Sequence, residues 1–374
     1  MRLSAPAVRG ARLRAQRLAG TRAATVADVA QGIVAVQAQD MGAAALAIRA
    51  RTTGLVVGDV VAAVAGRSVA VAWSLRGTRH LHAAEDVAWI RALVEPVFNR
   101  PTARDRQLGI AGAAGDRGLA ALRKGLEAEG FLTRGQAKEL LAQAGIDVSG
   151  QAPIHLISRA AFEGLLVIVP TPGATQSQDR YALAETWLSP APRVDLDRAV
   201  VWLAERYLAA YSPATPGDLA SWSGLPRGLV SLAWAGVADR LVEVEVEGAG
   251  AVEVEDGGPG SPERLWSLRS SATLQPGAGW AEQDPAPELT LAGAFDPFLL
   301  GYADRSLHLA PEYARPVNPG GGILRPVVFV GGRVSGTWAL RRRPFGVTVS
   351  AFGDVAIEPD PLARESADIE RFLG

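Results

Sequence analysis

Helical periodicity followed by strand-like sequence recurs three times in the same order, and from about Glu288 the texture switches to alternating strands and turns. These two observations predict an α+β fold. It would consist of about three tandem winged-helix units over 1–98, 99–190 and 191–287, and a β-rich C-terminal domain over 288–374. Three units of similar order are a repeat of architecture.

The first unit opens with a helical pattern over residues 4–18 that sets Arg9, Arg12 and Arg17 on its polar side. A second helix starts at Thr25, with Asp28 three residues on as in a capping box, and repeats Val26, Val29, Ile33 and Val36 at helical spacing. Gln37-Ala38-Gln39-Asp40 follows, then a small-residue run and a helix over Asp59 to Ala65. Val69 to Leu75 reads as a strand, Arg76-Gly77-Thr78-Arg79 as a turn and His80 to His82 as the returning strand. A helix from Ala83 to about Glu95 stops before Pro96, because proline disfavours helical backbone in the residue before it.

Asn99 to Arg117, rich in glycine and charge, reads as a link. Helices then cover Leu119–Glu129, Thr133–Ala144 with Gln136 completing its cap, and Ile154–Glu163. Leu165–Val169 and Arg180–Ala184 form the second wing. The third unit runs from a long helix ending at Tyr211, through Pro216–Trp222 with proline in the first turn, to Arg227–Ala238 and a strand over Leu241–Glu247. Its wing is the acidic stretch Glu243 to Glu263. In the last segment Gly331-Gly332 joins Pro326–Val330 to Arg333–Leu340 as a hairpin, Phe345–Phe352 alternates as a further strand, and a helix spans Pro361–Phe372.

Composition narrows the chemistry. With no cysteine in 374 residues there is no disulfide, thiolate metal site or cysteine nucleophile. No apolar run is long enough to span a bilayer, and the basic start lacks the apolar core of a leader, so a soluble cytoplasmic monomer is expected. A net charge of −1 argues against a nucleic-acid partner. The distribution argues the other way, since residues 1–110 hold 15 Arg against 7 acids, and a basic front with an acidic flap suits one anion-binding face. Basic residues are nearly all Arg, with Lys only at 124 and 138, which reflects background composition as readily as function. No P-loop, dinucleotide fingerprint, HExxH or nucleophile elbow occurs, and no cofactor or metal is expected.

The candidate catalytic residues are Gln37 and Gln39, with Asp40 as a further possibility. On a helix, positions two apart point about 200° apart, whereas on extended chain they share a face. For both amides to serve one site, the helix must end at or just before Gln37. An amide accepts and donates hydrogen bonds but is far too weak a base to deprotonate water. Such a pair can orient water, so the substrate must bring its own activation. Asp40, one residue further, would point to the opposite face. As mere cap decoration, the same glutamines would do nothing chemical.

Five motifs together resemble the AlkZ/YcaQ-type winged-helix DNA glycosylases: VAVQAQD at Val34–Asp40, LRGTRHL at Leu75–Leu81, YSPATPGDLASWSGLP at Tyr211–Pro226, AFDPFLLGYADR at Ala294–Arg305 and GGRVSGTW at Gly331–Trp338. The resemblance implies a C-shaped arrangement of winged helices with a small β-barrel-like domain. It also implies that Gln37 and Gln39 correspond to the Gln-x-Gln of the AlkZ branch, where the YcaQ branch has Gln-x-Asp, and that they position the hydrolytic water. The implied activity is monofunctional hydrolysis, without lyase chemistry, of the N-glycosidic bond of N7-alkylguanine in double-stranded DNA. Bulky natural-product adducts, interstrand crosslinks and self-resistance to an alkylating antibiotic fall within that implication. The rival reading is a non-catalytic winged-helix transcriptional regulator.

DNA-binding candidates follow from charge and placement. Arg76, Arg79, His80 and His82 on the first wing read either as phosphate or minor-groove contacts or as a solvated turn with a packed histidine. Arg315, Asn318 and Arg325 bracket Gly320-Gly321-Gly322, a loop or hairpin suited to probing DNA. Arg341 and Arg342 start a basic run read as a phosphate patch. Asp304 and Arg305 read as members of structural ion pairs, and Trp222, Trp234 and Trp338 as core.

Overall fold

The computed structural model describes residues 1–100, 102–170, 178–190, 192–247, 264–271 and 289–374. The chain forms two compact units, one of Met1–Val36, Ala43–Val60 and Val200–Gly374 and the other of Gln37–Gly42 and Val61–Ala199. This division differs from the four expected segments, since residues 1–98 contribute to both units. The tips of the expected second and third wings, 171–177 and 248–263, lie outside the described residues.

The second unit is built on a sheet with strand order Val36–Gln37, Arg79–Ala83, Val69–Trp73, Leu166–Val169, Arg180–Leu183, Phe131–Thr133. The two expected hairpins are present, Val69↔Ala83 to Trp73↔Arg79 in one and Leu166↔Leu183 to Val169↔Arg180 in the other. They join antiparallel at Val71↔Ile168, so the two hairpins share one sheet. Helix Arg134–Gln143 starts with the expected reciprocal cap of Thr133 and Gln136.

Two expectations fail in this unit. Pro96 lies inside helix Val87–Phe98. So close to the end it removes a single backbone bond, and the Asn99 N–H still reaches the Glu95 carbonyl at 3.1 Å. The supposed link 99–117 contains helix Ala103–Gln107, capped by Thr102 and Asp105, and the first turns of helix Ala113–Glu129. Of the glycines that suggested a link, Gly115 is a packing position, since a Cβ on it would meet the Ile110 carbonyl oxygen at 2.2 Å, while Gly109 and Gly112 take φ of 67° and 58° in the turns between the two helices.

In the first unit, strand Arg2–Ser4 pairs parallel with Leu241–Glu247, which pairs with Leu265–Leu268. Thr290–Ala292, Val327–Val330, Arg333–Arg342 and Phe345–Ala351 form an antiparallel meander, an open four-stranded sheet and not a closed barrel among the described residues. Helix Pro359–Leu373 buries Ile369 against Leu291, Val328 and Trp338 of that sheet. Trp222 is also core, while Trp234 is half-buried. Among the described residues no helix is long and apolar enough to cross a membrane.

Buried arginines hold this unit together. Arg12, expected on the polar side of its helix, is 2 % exposed. Two of its nitrogens donate to the Pro213 carbonyl, a third meets His308 Nε2 at 2.9 Å, and the guanidinium lies 3.8 Å from the Tyr302 ring centre. With every polar edge satisfied, the charge can be buried. Arg51 donates to both carboxylate oxygens of Asp296 at 2.8 and 2.9 Å, and also to Gln16 Oε1 and the Ala47 carbonyl. Asp296 in turn caps helix Pro297–Leu300 through the Phe298 N–H. Removing one member of such a pair leaves an uncompensated buried charge. Asp296→Ala is therefore expected to cost about 3–5 kcal/mol, read as a lowered urea midpoint. An unchanged midpoint would contradict this account.

Candidate active site

The Gln37/Gln39 pair is presented by a sharp change of backbone. Helix Val26–Ile33, with the reciprocal cap of Thr25 and Asp28, ends at Val34, which has φ 69° and ψ −45°. The Ala35 N–H bonds the Ile33 carbonyl at 2.8 Å, making a γ-turn of the strained, positive-φ kind at a β-branched residue. The chain then runs extended through Val36–Gln37, and the Ala38 N–H bonds the Arg79 carbonyl at 2.8 Å. The helix thus ends before Gln37, as a shared site requires. Gln37 Nε2 donates to Gln39 Oε1 at 2.9 Å.

Arg76 fixes the orientation of both amides. Its Nη2 donates to Gln37 Oε1 at 2.9 Å. Because a guanidinium has no acceptor, the oxygen of Gln37 must face Arg76 and its nitrogen must face Gln39. Gln39 must then answer with its oxygen. Arg76 itself has φ 54° and ψ 17°, left-handed backbone for a residue with a Cβ. Gln37 is buried and Gln39 exposed, so the donor chain runs from the interior to solvent.

The chain extends inward through the histidines. Arg76 Nη2 lies 3.4 Å from His80 Nε2, and His80 Nδ1 lies 3.0 Å from Ser74 Oγ and 3.2 Å from the Thr78 carbonyl. Ser74 Oγ is 2.9 Å from His82 Nε2. One proton assignment satisfies every contact: His80 carries its proton on Nδ1, and Ser74 donates to His82 Nε2. Ser74 was invisible to sequence reasoning, since a single serine after a strand carries no signal.

The placement corrects several expected DNA contacts. Arg79, His80 and His82 are buried, which removes them from phosphate reach. Arg79 pairs with Asp179 at 2.7 Å, where burial pushes the Asp179 carboxyl up against the pull of Arg79. Arg76 is half-buried and spends a donor on Gln37. Asp40 is exposed and its Oδ1 accepts the Gly42 N–H at 2.8 Å, which turns the chain into helix Met41–Arg49. Arg315, Asn318 and Arg325 are exposed on either side of Gly320-Gly321-Gly322. Arg341 and Arg342 are exposed where strand Arg333–Arg342 ends. Among the described residues no group of three or more His, Asp or Glu could hold a metal.

Burial holds the His80 imidazole well below the usual histidine range, helped by the Arg76 charge and by His82 and opposed by the Thr78 carbonyl. In the unfolded chain it titrates near ~6.5. Below that pH the unfolded chain binds a proton that the folded chain refuses, so stability falls as pH drops. The slope approaches about 1.4 kcal/mol per pH unit for His80. Buried His308, depressed by the same causes of burial and a neighbouring arginine, adds its own share. Urea unfolding at two pH values, above and below this range, is expected to show a smaller acid loss for His80→Asn than for wild type. Equal losses would contradict the buried neutral ring.

Comparisons with known proteins meet this geometry. The fold matches the Streptomyces sahachiroi DNA glycosylase AlkZ with a TM-score of 0.79, at 24% identity over 99% of this chain and 97% of that one. By sequence, the chain is 29% identical over 183 residues to the interstrand DNA cross-link repair glycosylase of Streptomyces sahachiroi. That alignment spans 48% of this chain and 44% of the relative. The family described as DNA glycosylase AlkZ-like matches residues 30–372, from within the Thr25-capped helix to the last helix, and the chain belongs to that family.

Proposed function

We propose that this chain is a monofunctional DNA glycosylase that hydrolyses the N-glycosidic bond of cationic N7-alkylguanine in duplex DNA. The observation that carries the reading is the ordered donor chain Arg76–Gln37–Gln39. Each amide oxygen has a second lone pair, and these acceptors hold the attacking water by its hydrogens. Water then attacks C1′, the C1′–N9 bond breaks, and its electron pair passes into the base and cancels the N7 cation. The proton from water leaves to solvent. Neutral amides supply no acid and no strong base, so an uncharged base is left untouched.

Sequence similarity to a protein named for cross-link repair supports extending the substrate range to bulky adducts and crosslinks. Resistance to a DNA-alkylating natural product is the physiological role that such a range serves. Exposed Arg315, Asn318, Arg325, Arg341 and Arg342 supply backbone contacts in this reading.

Base release from a duplex with one N7-methylguanine tests the reading. Gln37→Ala/Gln39→Ala is expected to lose on the order of a hundredfold or more in rate, because the water is no longer held in line. Release that survives the double change moves the chemistry elsewhere. Intact DNA binding without release from this lesion or a bulky one favours the regulator.

Arg76→Gly separates positioning from stability. Relief of left-handed strain, about 1–3 kcal/mol, offsets the lost charged hydrogen bond, about 1.5–3 kcal/mol. The expected result is a melting temperature within a few degrees of wild type, with release slowed by roughly a hundredfold. Unchanged release would remove Arg76 from the site.

A further inference from the structure

Arg305 is the exception among the arginines whose Nε is buried. Nε of Arg49, Arg51, Arg79 and Arg206 is also without an acceptor, but their terminal nitrogens donate to carboxylates or carbonyls. Arg305 Nε is buried with no acceptor, and none of its nitrogens bonds any described residue. The ion pair expected for it from sequence is absent among the described residues. Burial lowers its basicity with no neighbouring charge opposing, yet a guanidinium stays protonated. A half-buried cation with no counter-charge is costly unless an anion arrives.

The surroundings say which anion. Arg305 lines an open cavity of about 310 Å³ together with Arg315, Asn318, Asp304, Ser306 and Leu309. Asp304 makes no ion pair with it among the described residues; its two oxygens accept the Ser306 N–H at 2.9 Å and the Ser306 hydroxyl at 2.7 Å. Asn318 Oδ1 accepts the Gly320 N–H at 3.2 Å, which leaves its amide NH₂ as the donor end. Arg305, Arg315 and Asn318 thus line one cavity, and their side chains carry two guanidinium groups and an amide NH₂, a donor set that matches a tetrahedral oxyanion. Leu309, Pro311 and Ala314 add an apolar wall that suits a sugar edge. Beyond Asn318, Gly320, Gly321 and Gly322 all have positive φ, and a Cβ on any of them would meet nothing within 4 Å, so the backbone can lie close to a long ligand.

We propose that this cavity is a phosphodiester-binding site in which Arg305 and Arg315 clamp a single backbone phosphate of DNA. The proposal rests on the reading that the chain binds duplex DNA, and it deepens that reading by assigning a site.

The test is the salt dependence of binding to an undamaged duplex, for wild type, Arg305→Gln, Arg315→Ala and the double variant, with melting curves as folding controls. Each phosphate contact contributes about 0.9 to the slope of log affinity against log salt. Each single change is expected to flatten the slope by about 0.9 and to weaken binding roughly fivefold at physiological salt. Because both residues grip one phosphate, the double variant should also lose about 0.9 and not twice that. Unchanged slopes overturn the proposal, and a doubled loss overturns the shared site. If Arg305→Gln does not fold, Arg315→Ala/Asn318→Ala carries the same expectation.

A melting shift in inorganic phosphate over sodium chloride at equal ionic strength, lost in Arg305→Gln with DNA slopes unchanged, would assign the cavity to free phosphate and overturn the DNA assignment. No base is released in these measurements, so expected slopes combined with an inactive wild type would sink the glycosylase reading and leave this site standing.

Discussion

A guanidinium can donate hydrogen bonds and cannot accept them, and the candidate site depends on that asymmetry. Left to themselves, two neighbouring glutamine amides can flip and pair in several ways. With Arg76 on Gln37 Oε1, a single arrangement remains. Hydrogen bonds in a chain polarise one another, so the charge at Arg76 strengthens the bond from Gln37 to Gln39 as well. Arg76 is held by left-handed backbone between two strands of the first hairpin, and the pair itself follows a strained turn at Val34. Strain of this kind persists where surrounding structure over-determines the backbone, here the strand bonds on either side.

The same property explains why so many arginines are inside. Arg12, Arg49, Arg51 and Arg79 are all nearly inaccessible, and each meets carbonyls, carboxylates or a ring nitrogen. Arginine suits this better than lysine, since its planar fork satisfies several acceptors at once and it is more weakly hydrated. The Arg-rich composition, which reads as background in the sequence, is used as internal framework. Against that pattern Arg305 stands out, a guanidinium with no acceptor among the described residues.

Much of the local structure was legible. Thr25 with Asp28 and Thr133 with Gln136 cap helices where the spacing says they should, and both hairpins fall within a residue or two of their expected runs. The Gln pair stood out as a candidate in the sequence, but the helical repeat of Val26, Val29, Ile33 and Val36 carries one position too far, since the helix ends at Ile33 and Val36 is strand. The misreadings share one cause. Gly115 looks like part of a linker and Arg12 looks like a surface residue when only neighbours in sequence are considered. Arg79, His80 and His82 look like a solvated wing for the same reason, and a strand pattern alone does not tell which face a neighbouring helix covers.

By itself the sequence determined what depends on residues a few positions apart: caps, the approximate runs of both hairpins, and the motifs that place the chain in its family. Those features follow from backbone geometry and short-range hydrogen bonding. Only the tertiary structure decided which charges pair and which strands join. Arg51 meets Asp296 across 245 positions, and Val71 meets Ile168 to fuse two hairpins into one sheet. A buried charge takes whichever partner the packing brings within about 3 Å, and that partner lies too far along the chain for any local pattern to announce it.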